Sequence, residues 1–259
     1  MKLGKISMCL LGGMMLLSCT NNGYQITDKG VIVEVTNQQE NGARKVRLEA
    51  IGEKLIRVSA TPDKKFADTE SLIIVPQAEK TAFQVEDLGE TVALKTSEVT
   101  ATVNKTTGQV VFADAEGNQI LAEEQGGRTF EPFEADGKQA YSVRQIFQSA
   151  GDDEGFYGLG QHQADEFNYK EKNEELFQYN TKVSVPFVVS NKNYGILWDS
   201  YSLLRFGNPE DYSQLGEVFN LYDKEGKAVA DYLTVKGEVI DTSAPVRYVD
   251  PLKYWKNRC

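Results

Sequence analysis

The chain contains one histidine, His162, and this residue limits the nucleophilic chemistry that the sequence allows. A Ser–His–Asp or Cys–His arrangement would have to be built around it, and no G-x-S-x-G nucleophile motif is found. A metal site with several histidine ligands is excluded. Asp165 and Glu166 follow closely, and a nearby carboxylate could tune the pKa of the ring. The alternative, which the spacing favours, is a loop histidine that makes an ordinary hydrogen bond.

Paired carboxylates are the usual apparatus of glycoside hydrolysis. The chain has 38 Asp and Glu residues, so pairs such as Asp152 with Asp153 or Glu174 with Glu175 carry little information and are typical of solvated loops. Against 28 Lys and Arg residues, the formal net charge is −10. This acidity argues against a nucleic-acid partner and names no ligand of its own.

The three cysteines lie outside the body of the chain, at Cys9, Cys19 and Cys259. They predict neither a disulfide framework nor a structural zinc site. Neither the cysteines nor the single histidine indicates a metal, and no motif indicates a cofactor.

Residues 1–18 have the features of a secretory signal peptide, with two lysines and an apolar run over residues 6–17. The run is too short to span a bilayer, which takes about 20 residues. The sequence LLSC at 16–19 resembles the lipobox of bacterial lipoproteins. We therefore expect lipidation of Cys19, a polar tether over residues 19–23, and export to the outer membrane or cell surface with attachment through acyl chains alone. The alternative is an ordinary signal peptide with an incidental cysteine.

Aromatic side chains are concentrated between residues 156 and 201. Sugars stack on such rings, but sandwich cores also need them, so core packing is the better expectation for most. Phe167 and Tyr169 lie in the least regular stretch, residues 161–175, and a loop of this length inside a domain is usually functional or disordered. They are the best candidates here for ligand contact.

From residue 31 onward, short β-branched and aromatic runs alternate with turn residues, and no long segment has the 3.6-residue period of a helix. The pattern predicts an all-β fold, a large antiparallel β-sandwich over residues 24–235, with a truncated or irregular tail at 236–259. Predicted strands are 31–35, 45–50, 55–60, 72–75, 91–95, 99–104, 110–112, 119–122, 141–147, 185–190, 195–199 and 229–235. Turns are predicted at 105–108 and 114–118.

Three ordered motifs carry a family resemblance: FYGLGQH at 156–162, QYNT at 178–181 and YGILWDSY at 194–201. Together with VRLE at 46–49 and IRVSATPD at 56–63, they resemble the N-terminal domain of glycoside hydrolase family 31, especially its bacterial α-xylosidase branch. The resemblance covers roughly residues 30–222. It implies a galactose-mutarotase-like β-sandwich, in agreement with the strand pattern.

The resemblance also implies that catalysis takes place on a different domain of the enzyme. In the family, retaining hydrolysis of α-glycosidic bonds is performed by two aspartates on a (β/α)8 barrel that follows the sandwich, and such a barrel takes about 250 residues. We therefore expect no catalytic residue in this chain. The region at QYNT matches the end of a loop that the domain sends to the active-site mouth, so Tyr179, Asn180 and Lys182 are expected near substrate. Relatives often carry an acidic residue there, and this sequence departs from that pattern.

Three hypotheses follow. The first is a non-catalytic N-terminal domain of a surface-anchored α-glycosidase, of the α-xylosidase type, that acts on α-linked fragments of xyloglucan-like polysaccharide and lacks the catalytic barrel in this chain. The second is a stand-alone carbohydrate-binding lipoprotein that uses Phe167, Tyr169 and Tyr179 as a stacking platform. The third is an active mutarotase-like epimerase, which is disfavoured because enzymes of that fold usually use more than one histidine.

Overall fold

The computed structural model describes residues 23–36, 39–67, 70–75, 80–148, 151–162, 167–178 and 180–207. Beyond these it describes the backbone of strand segments at 212–214, 232–235, 238–241 and 255–257. Every strand pairing in the described chain is antiparallel, and the described residues contain no helix. The all-β class predicted from the sequence is confirmed.

The chain divides into two compact units after Ser149. The first unit contains β1 (Tyr24–Ile26), β2 (Gly30–Glu34), β3 (Lys45–Gly52), β4 (Leu55–Thr61), β5 (Gln84–Asp87), β6 (Thr91–Lys95), β7 (Val99–Asn104), β8 (Val110–Asp114), β9 (Gln119–Ala135) and β10 (Lys138–Phe147). The second contains β11 (Phe156–Gln161), β12 (Asn173–Leu176), β13 (Val183–Ser190), β14 (Tyr194–Leu197), β15 (Leu204–Gly207), β16 (Tyr212–Gln214), β17 (Tyr232–Val235), β18 (Glu238–Asp241) and β19 (Trp255–Asn257).

The first unit is a two-layer sandwich. One layer is the sheet β1-β2-β3-β4, and the other is the sheet β10-β9-β8-β7-β6-β5. Alternate side chains on each strand point to opposite faces, and the inward-facing ones from both sheets form one apolar core. Its largest fully buried members are Val31, Val33, Val46, Leu48, Val92, Leu94, Val103 and Val110.

The turn predicted at 105–108 is confirmed and joins β7 to β8. The Asn104 Oδ1 accepts hydrogen bonds from the backbone N–H groups of Thr106 and Thr107, at 2.8 and 2.9 Å. Gly108 follows with φ +72°, a conformation that costs glycine little. The side chain of Asn104 therefore helps to fix the hairpin register.

The turn predicted at 114–118 is also confirmed. The Asp114 Oδ1 accepts the backbone N–H of Asn118 at 2.7 Å, and Gly117 has φ +90°. Beyond this turn, β9 runs for 17 residues, far past the predicted end at residue 122. The longer strand lies between β8 and β10, and β10 forms an edge of the larger sheet.

The strand predicted at 72–75 is wrong. These residues are not paired in a sheet, because Ser71 turns the backbone locally. Its Oγ accepts the N–H groups of Ile73 and Ile74, at 3.3 and 3.1 Å. This hydroxyl bonding competes with a strand ladder, and the apolar Leu72 side chain remains 81% exposed.

One charged pair is buried in the first unit. Arg128 and Glu123, both on β9, form an ion pair that is shielded from solvent. The other carboxylate oxygen of Glu123 accepts the backbone N–H of Val110 at 2.9 Å. Burial raises the pKa of Glu123, while Arg128 and the Val110 amide oppose that rise. The pair is fully hydrogen-bonded, as a buried charge must be.

The second unit has a smaller core. Its main sheet has the order β11-β13-β14, and β12 pairs with β15 in a separate two-stranded sheet. Leu159, Tyr169, Leu176 and Val188 form the buried cluster, and Phe156, Ile196, Trp198, Leu204 and Phe206 pack against it. The strands predicted at 185–190 and 195–199 are confirmed as β13 and β14, and the second ends at Leu197.

Candidate functional site

The motif GLG in β11 folds into an irregular segment of the sheet. Gly158 pairs with Val188, whereas Gly160 pairs with Ser184, so β13 has extra residues at this point. A Cβ at Gly160 would lie 2.1 Å from the carbonyl oxygen of Val183, and φ at Gly160 is +99°. Only glycine fits such a close backbone approach, which explains the residue type.

Leu159, between the two glycines, has φ +63° and is fully buried. The left-handed region is costly for a bulky residue, by about 1–3 kcal/mol, and persists only where the surroundings hold it. The core holds the Leu159 side chain, and the ring of His162 holds its carbonyl oxygen, with Nε2 at 2.7 Å. A backbone outlier of this kind marks a constrained site.

His162 lies directly after β11, and its side chain is only 2% exposed. The edge of its ring meets the ring of Tyr169 at a centroid distance of 6.2 Å. Its Nδ1 lies 3.1 Å from Oε1 of Glu174, but the alignment is not that of a hydrogen bond. The ordinary hydrogen-bonding role favoured by the sequence is therefore present at Nε2, and the Nδ1–Glu174 contact could not be read from spacing.

The connection between β12 and β13, residues 177–182, is closed at its base by four residues that we call the clamp: Glu174, Phe177, Lys182 and Ser184. Lys182 Nζ donates to Oε1 of Glu174 at 2.5 Å, and both side chains are 12% exposed. The Ser184 Oγ donates to the carbonyl oxygen of Phe177 at 3.0 Å. The Lys182 ammonium lies 5.2 Å from the Phe177 ring centroid, within cation–π range.

The clamp presents the tip of the loop to solvent. Gln178, Asn180 and Thr181 are exposed, and Asn180 has φ +41°, a conformation that Asn tolerates better than most residues. Tyr179 lies outside the described residues. Of the predicted loop residues, Asn180 is therefore open to a ligand, whereas Lys182 is engaged with Glu174. Sugar contact by Tyr179, Asn180 and Lys182 stays a prediction.

Phe167 and Tyr169, the other two predicted contacts, differ sharply in exposure. Phe167 is 84% exposed and leans on the ring of Tyr157, at a centroid distance of 5.4 Å. Tyr169 is 7% exposed and belongs to the core cluster. Phe167 therefore offers a ring face to solvent, whereas Tyr169 supports His162 from within. Sugar stacking by either residue stays a prediction.

The acidic pair at 152–153 and the turn between β13 and β14 form a densely bonded corner. The Oε1 of Glu154 accepts hydrogen bonds from the Ser190 and Tyr194 hydroxyls, at 2.5 and 2.7 Å. Partial burial and the Glu154 carboxylate raise the pKa of Tyr194. Lys192 lies 2.5 Å from Asp153 and lowers its pKa. These contacts hold the turn between β13 and β14 in place.

The described residues contain no group of three or more His, Cys, Asp or Glu side chains that could hold a metal ion. In the same part of the chain, no helix is long and apolar enough to cross a membrane. Cys19 and the leader lie outside the described residues, so lipidation stays a prediction.

Comparison with known proteins identifies the family. The family model of the glycosyl hydrolase 31 N-terminal galactose mutarotase-like domain matches residues 45–206, more than half of the chain. The chain therefore belongs to glycoside hydrolase family 31, as its N-terminal galactose-mutarotase-like domain. The matched range includes β11, the clamp and the strands β3–β10.

Several of the similar proteins are α-xylosidases. A GH31 α-xylosidase from Xanthomonas citri is 46% identical, with a TM-score of 0.67 over 78% of this chain and 22% of that chain. An α-xylosidase from Saccharolobus solfataricus is 28% identical over 84% of this chain and 31% of its own length. A GH31 α-xylosidase from a soil metagenome is 25% identical, with a TM-score of 0.55. The chain thus spans less than a third of the length of each of these three relatives.

Proposed function

We propose that this chain is the N-terminal, non-catalytic part of an α-xylosidase that acts on α-linked oligosaccharides of the xyloglucan type. The observation that carries the proposal is the 46% identity to the α-xylosidase from Xanthomonas citri over 78% of the chain. Hydrolysis is assigned to chain that follows this segment, since the relatives are about three to four times as long.

Within that enzyme, the second unit would contribute the rim of the substrate site. The loop 177–182 supports this role, because the Lys182–Glu174 pair at its base is only 12% exposed while Asn180 at its tip is exposed. An exposed amide donates and accepts hydrogen bonds with sugar hydroxyl groups. Phe167, 84% exposed beside Tyr157, is an aromatic surface on which a sugar ring can stack.

The experiment begins with the protein of the source cell. An antibody raised against the chain would be used to probe membrane fractions and to immunoprecipitate the native product. We expect a band several-fold above 28.9 kDa whose precipitate hydrolyses an aryl α-xyloside faster than the matching aryl α-glucoside. A large product that prefers the glucoside would overturn the α-xylosidase assignment, and a single band near the short chain would overturn the proposal as a whole.

Export as a lipoprotein is part of the same proposal. It rests on the apolar leader and on LLSC at residues 16–19. The test is metabolic labelling with a fatty acid in cells that carry either the wild-type gene or Cys19→Ser. We expect label in the membrane-bound wild-type product and none in the variant. Equal labelling of both products, or none in either, would remove the lipid anchor from the proposal.

A second candidate is a carbohydrate-binding lipoprotein, and the exposed ring of Phe167 is the observation that favours it. Calorimetric titration of the chain with xylose-containing oligosaccharides would test it, with Phe167→Ala as the binding variant. Leu203→Ala, at another exposed apolar residue of the second unit, is the matched control. Affinity lost in the first variant and retained in the second supports binding, whereas heat-silent titrations with the wild type rule it out.

A further inference from the structure

The protonation of His162 is constrained at one of its two ring nitrogens. Nε2 lies 2.7 Å from the carbonyl oxygen of Leu159. A carbonyl oxygen only accepts hydrogen bonds, so Nε2 must carry the hydrogen. The neutral ring is therefore fixed in the Nε2–H tautomer, and any proton gained or lost by His162 is gained or lost at Nδ1.

Nδ1 is directed at a carboxylate that is already in use. It lies 3.1 Å from Oε1 of Glu174, the same oxygen that accepts the Lys182 ammonium at 2.5 Å. No hydrogen-bond partner of Nδ1 is found among the described residues, although the atom is buried. One carboxylate oxygen thus faces two nitrogens, the Lys182 ammonium and a histidine nitrogen that carries charge only when it is protonated.

The groups that face His162 come from three parts of the second unit. Glu174 approaches from β12, Lys182 from the residue ahead of β13, and Tyr169 from the segment between β11 and β12. Of these described neighbours, Glu174 is the acid and Lys182 the competing cation. Their side chains are 12% exposed, so solvent screens the interactions less than it would at the surface.

Protonation reverses the sign of the Nδ1–Glu174 contact. In the neutral ring, the Nδ1 lone pair faces a carboxylate oxygen and repels it, which leaves Lys182 as the partner of Glu174. When Nδ1 takes a proton from water, an N–H⁺ group stands 3.1 Å from the same oxygen, and a small ring rotation makes a charge-assisted hydrogen bond. Two cations then compete for one acceptor at the base of the loop.

We propose that His162 is a proton-operated switch for the clamp. Protonation of Nδ1 transfers Oε1 of Glu174 from Lys182 to His162 and releases the Lys182 ammonium from the clamp, while Nε2 keeps its bond to Leu159. The switch regulates the rim described above, and its consequence for substrate rests on the proposed function. The switch itself is a property of this chain and needs no substrate.

Because the chain has one histidine, nuclear magnetic resonance can follow His162 without ambiguity. The full chain would be labelled with ¹⁵N in histidine and ¹³C at the lysine ε-carbon, and spectra would be recorded between about pH 5 and about pH 8. The Lys182 signal is assigned as the one that disappears in Lys182→Met. We expect the Nε2–H tautomer at high pH, and a Lys182 shift that follows the same pH step as Nδ1 protonation.

Two variants and one reference signal make the result decisive. In Glu174→Gln, which lacks the shared charged acceptor, His162 should still titrate while the Lys182 signal no longer follows it. In Lys182→Met, which removes the competing cation, the His162 step should move to higher pH. Lys54, which is 80% exposed, serves as the reference lysine and should not follow the step.

A neutral Nδ1–H tautomer in the wild type would overturn the proposal, and so would a Lys182 signal that stays constant through the His162 step. The measurement uses no sugar. A failure here therefore leaves the α-xylosidase assignment standing, and a failure of that assignment leaves the switch standing.

Discussion

The two units of the chain are stabilised in different ways. Among the described residues, twelve form the buried core of the first unit, and nearly all are aliphatic. Four form that of the second unit, which also holds a strained leucine and a charged cluster that is 2–12% exposed. The first unit depends mainly on apolar area removed from water and contains one described buried ion pair, Arg128–Glu123. The second has a smaller apolar core and relies more on backbone fit and polar contacts. The candidate functional groups all lie in the second unit.

The largest loss of stability is expected from Gly160→Ala in the second unit. A Cβ there would lie 2.1 Å from the carbonyl oxygen of Val183, in a backbone conformation that alanine avoids. Strain and overpacking together should lower the free energy of unfolding by about 4 kcal/mol. Hydrogen exchange resolved by mass spectrometry should show lost protection across β11 and β13, with the first unit unaffected.

The matched control is Gly117→Ala in the first unit. Gly117 has φ +90°, but no atom lies within 4 Å of an added Cβ, so only the backbone term applies, about 1 kcal/mol. Equal losses in the two variants would show that the β11 fit has no special weight. If Gly160→Ala lowered hydrogen-exchange protection in both units, the two units could not be treated as separately stabilised.

The next effect is expected from Leu94→Ala in the first unit. Leu94 is fully buried between the two sheets, and its truncation leaves a cavity in the aliphatic core. The free energy of unfolding should fall by about 3 kcal/mol, as measured by denaturant titration. Leu55→Ala, at a side chain that is 55% exposed on β4, should change it by less than about 0.5 kcal/mol. Similar losses for both leucines would contradict the assigned core.

A smaller effect is expected from Tyr194→Phe in the second unit. The phenol donates to Oε1 of Glu154 at 2.7 Å, and its loss leaves that oxygen with the Ser190 hydroxyl. The variant should lose about 1 kcal/mol, the usual net contribution of one hydrogen bond. The control is Tyr201→Phe, whose hydroxyl bonds Asp199 at an exposed position. A loss in the control as large as that in Tyr194→Phe would show that the bonded corner is not a stabilising feature.

The strands and turns of the first unit are mostly predictable from the sequence, because interactions between residues close together in the chain determine them. Residues 91–95 and 99–104 alternate apolar and polar types or carry β-branched side chains, and both became strands with the predicted bounds. The turn residues Asn104, Gly108 and Asp114 fixed the hairpins by their own hydrogen bonds and φ angles. Where a side chain offers a competing hydrogen bond, as Ser71 does, the apolar pattern predicts a strand that does not form.

The second unit was predicted less completely because its geometry depends on non-local contacts. The strand at β13 was expected, but apolar residues occupy both of its faces, and those at 183, 185, 187 and 189 are 40–49% exposed. Such a pattern does not say which face is covered. The role of Glu174 is not predictable from the sequence, because its contacts with His162 and Lys182 join three separate segments of the chain. The motif resemblance indicates the region of the candidate site, whereas the contacts of Glu174 are visible only in the folded structure.

The smallest effect concerns electrostatics at the surface of the first unit. Lys105 Nζ donates to Oδ1 of Asp87 at 2.6 Å, and this bond, with the Gly89 amide, holds the pKa of Asp87 below its ordinary value of 3.8. A carboxyl whose pKa is lower in the folded state contributes stability above its ordinary pKa and loses it as the pH falls through the folded value. Asp87→Asn should therefore be less stable than wild type at neutral pH and should lose less on acidification below about pH 4.

Lys105→Met tests the same pair from the other side and should flatten the acid limb in the same way. Denaturant titrations at several pH values measure both variants. The changes should stay well below that of Leu94→Ala, since exposed ion pairs contribute little to stability. An effect that matched the core truncation would mean that the first unit, like the second, relies on placed polar groups, and the contrast between the units would fail.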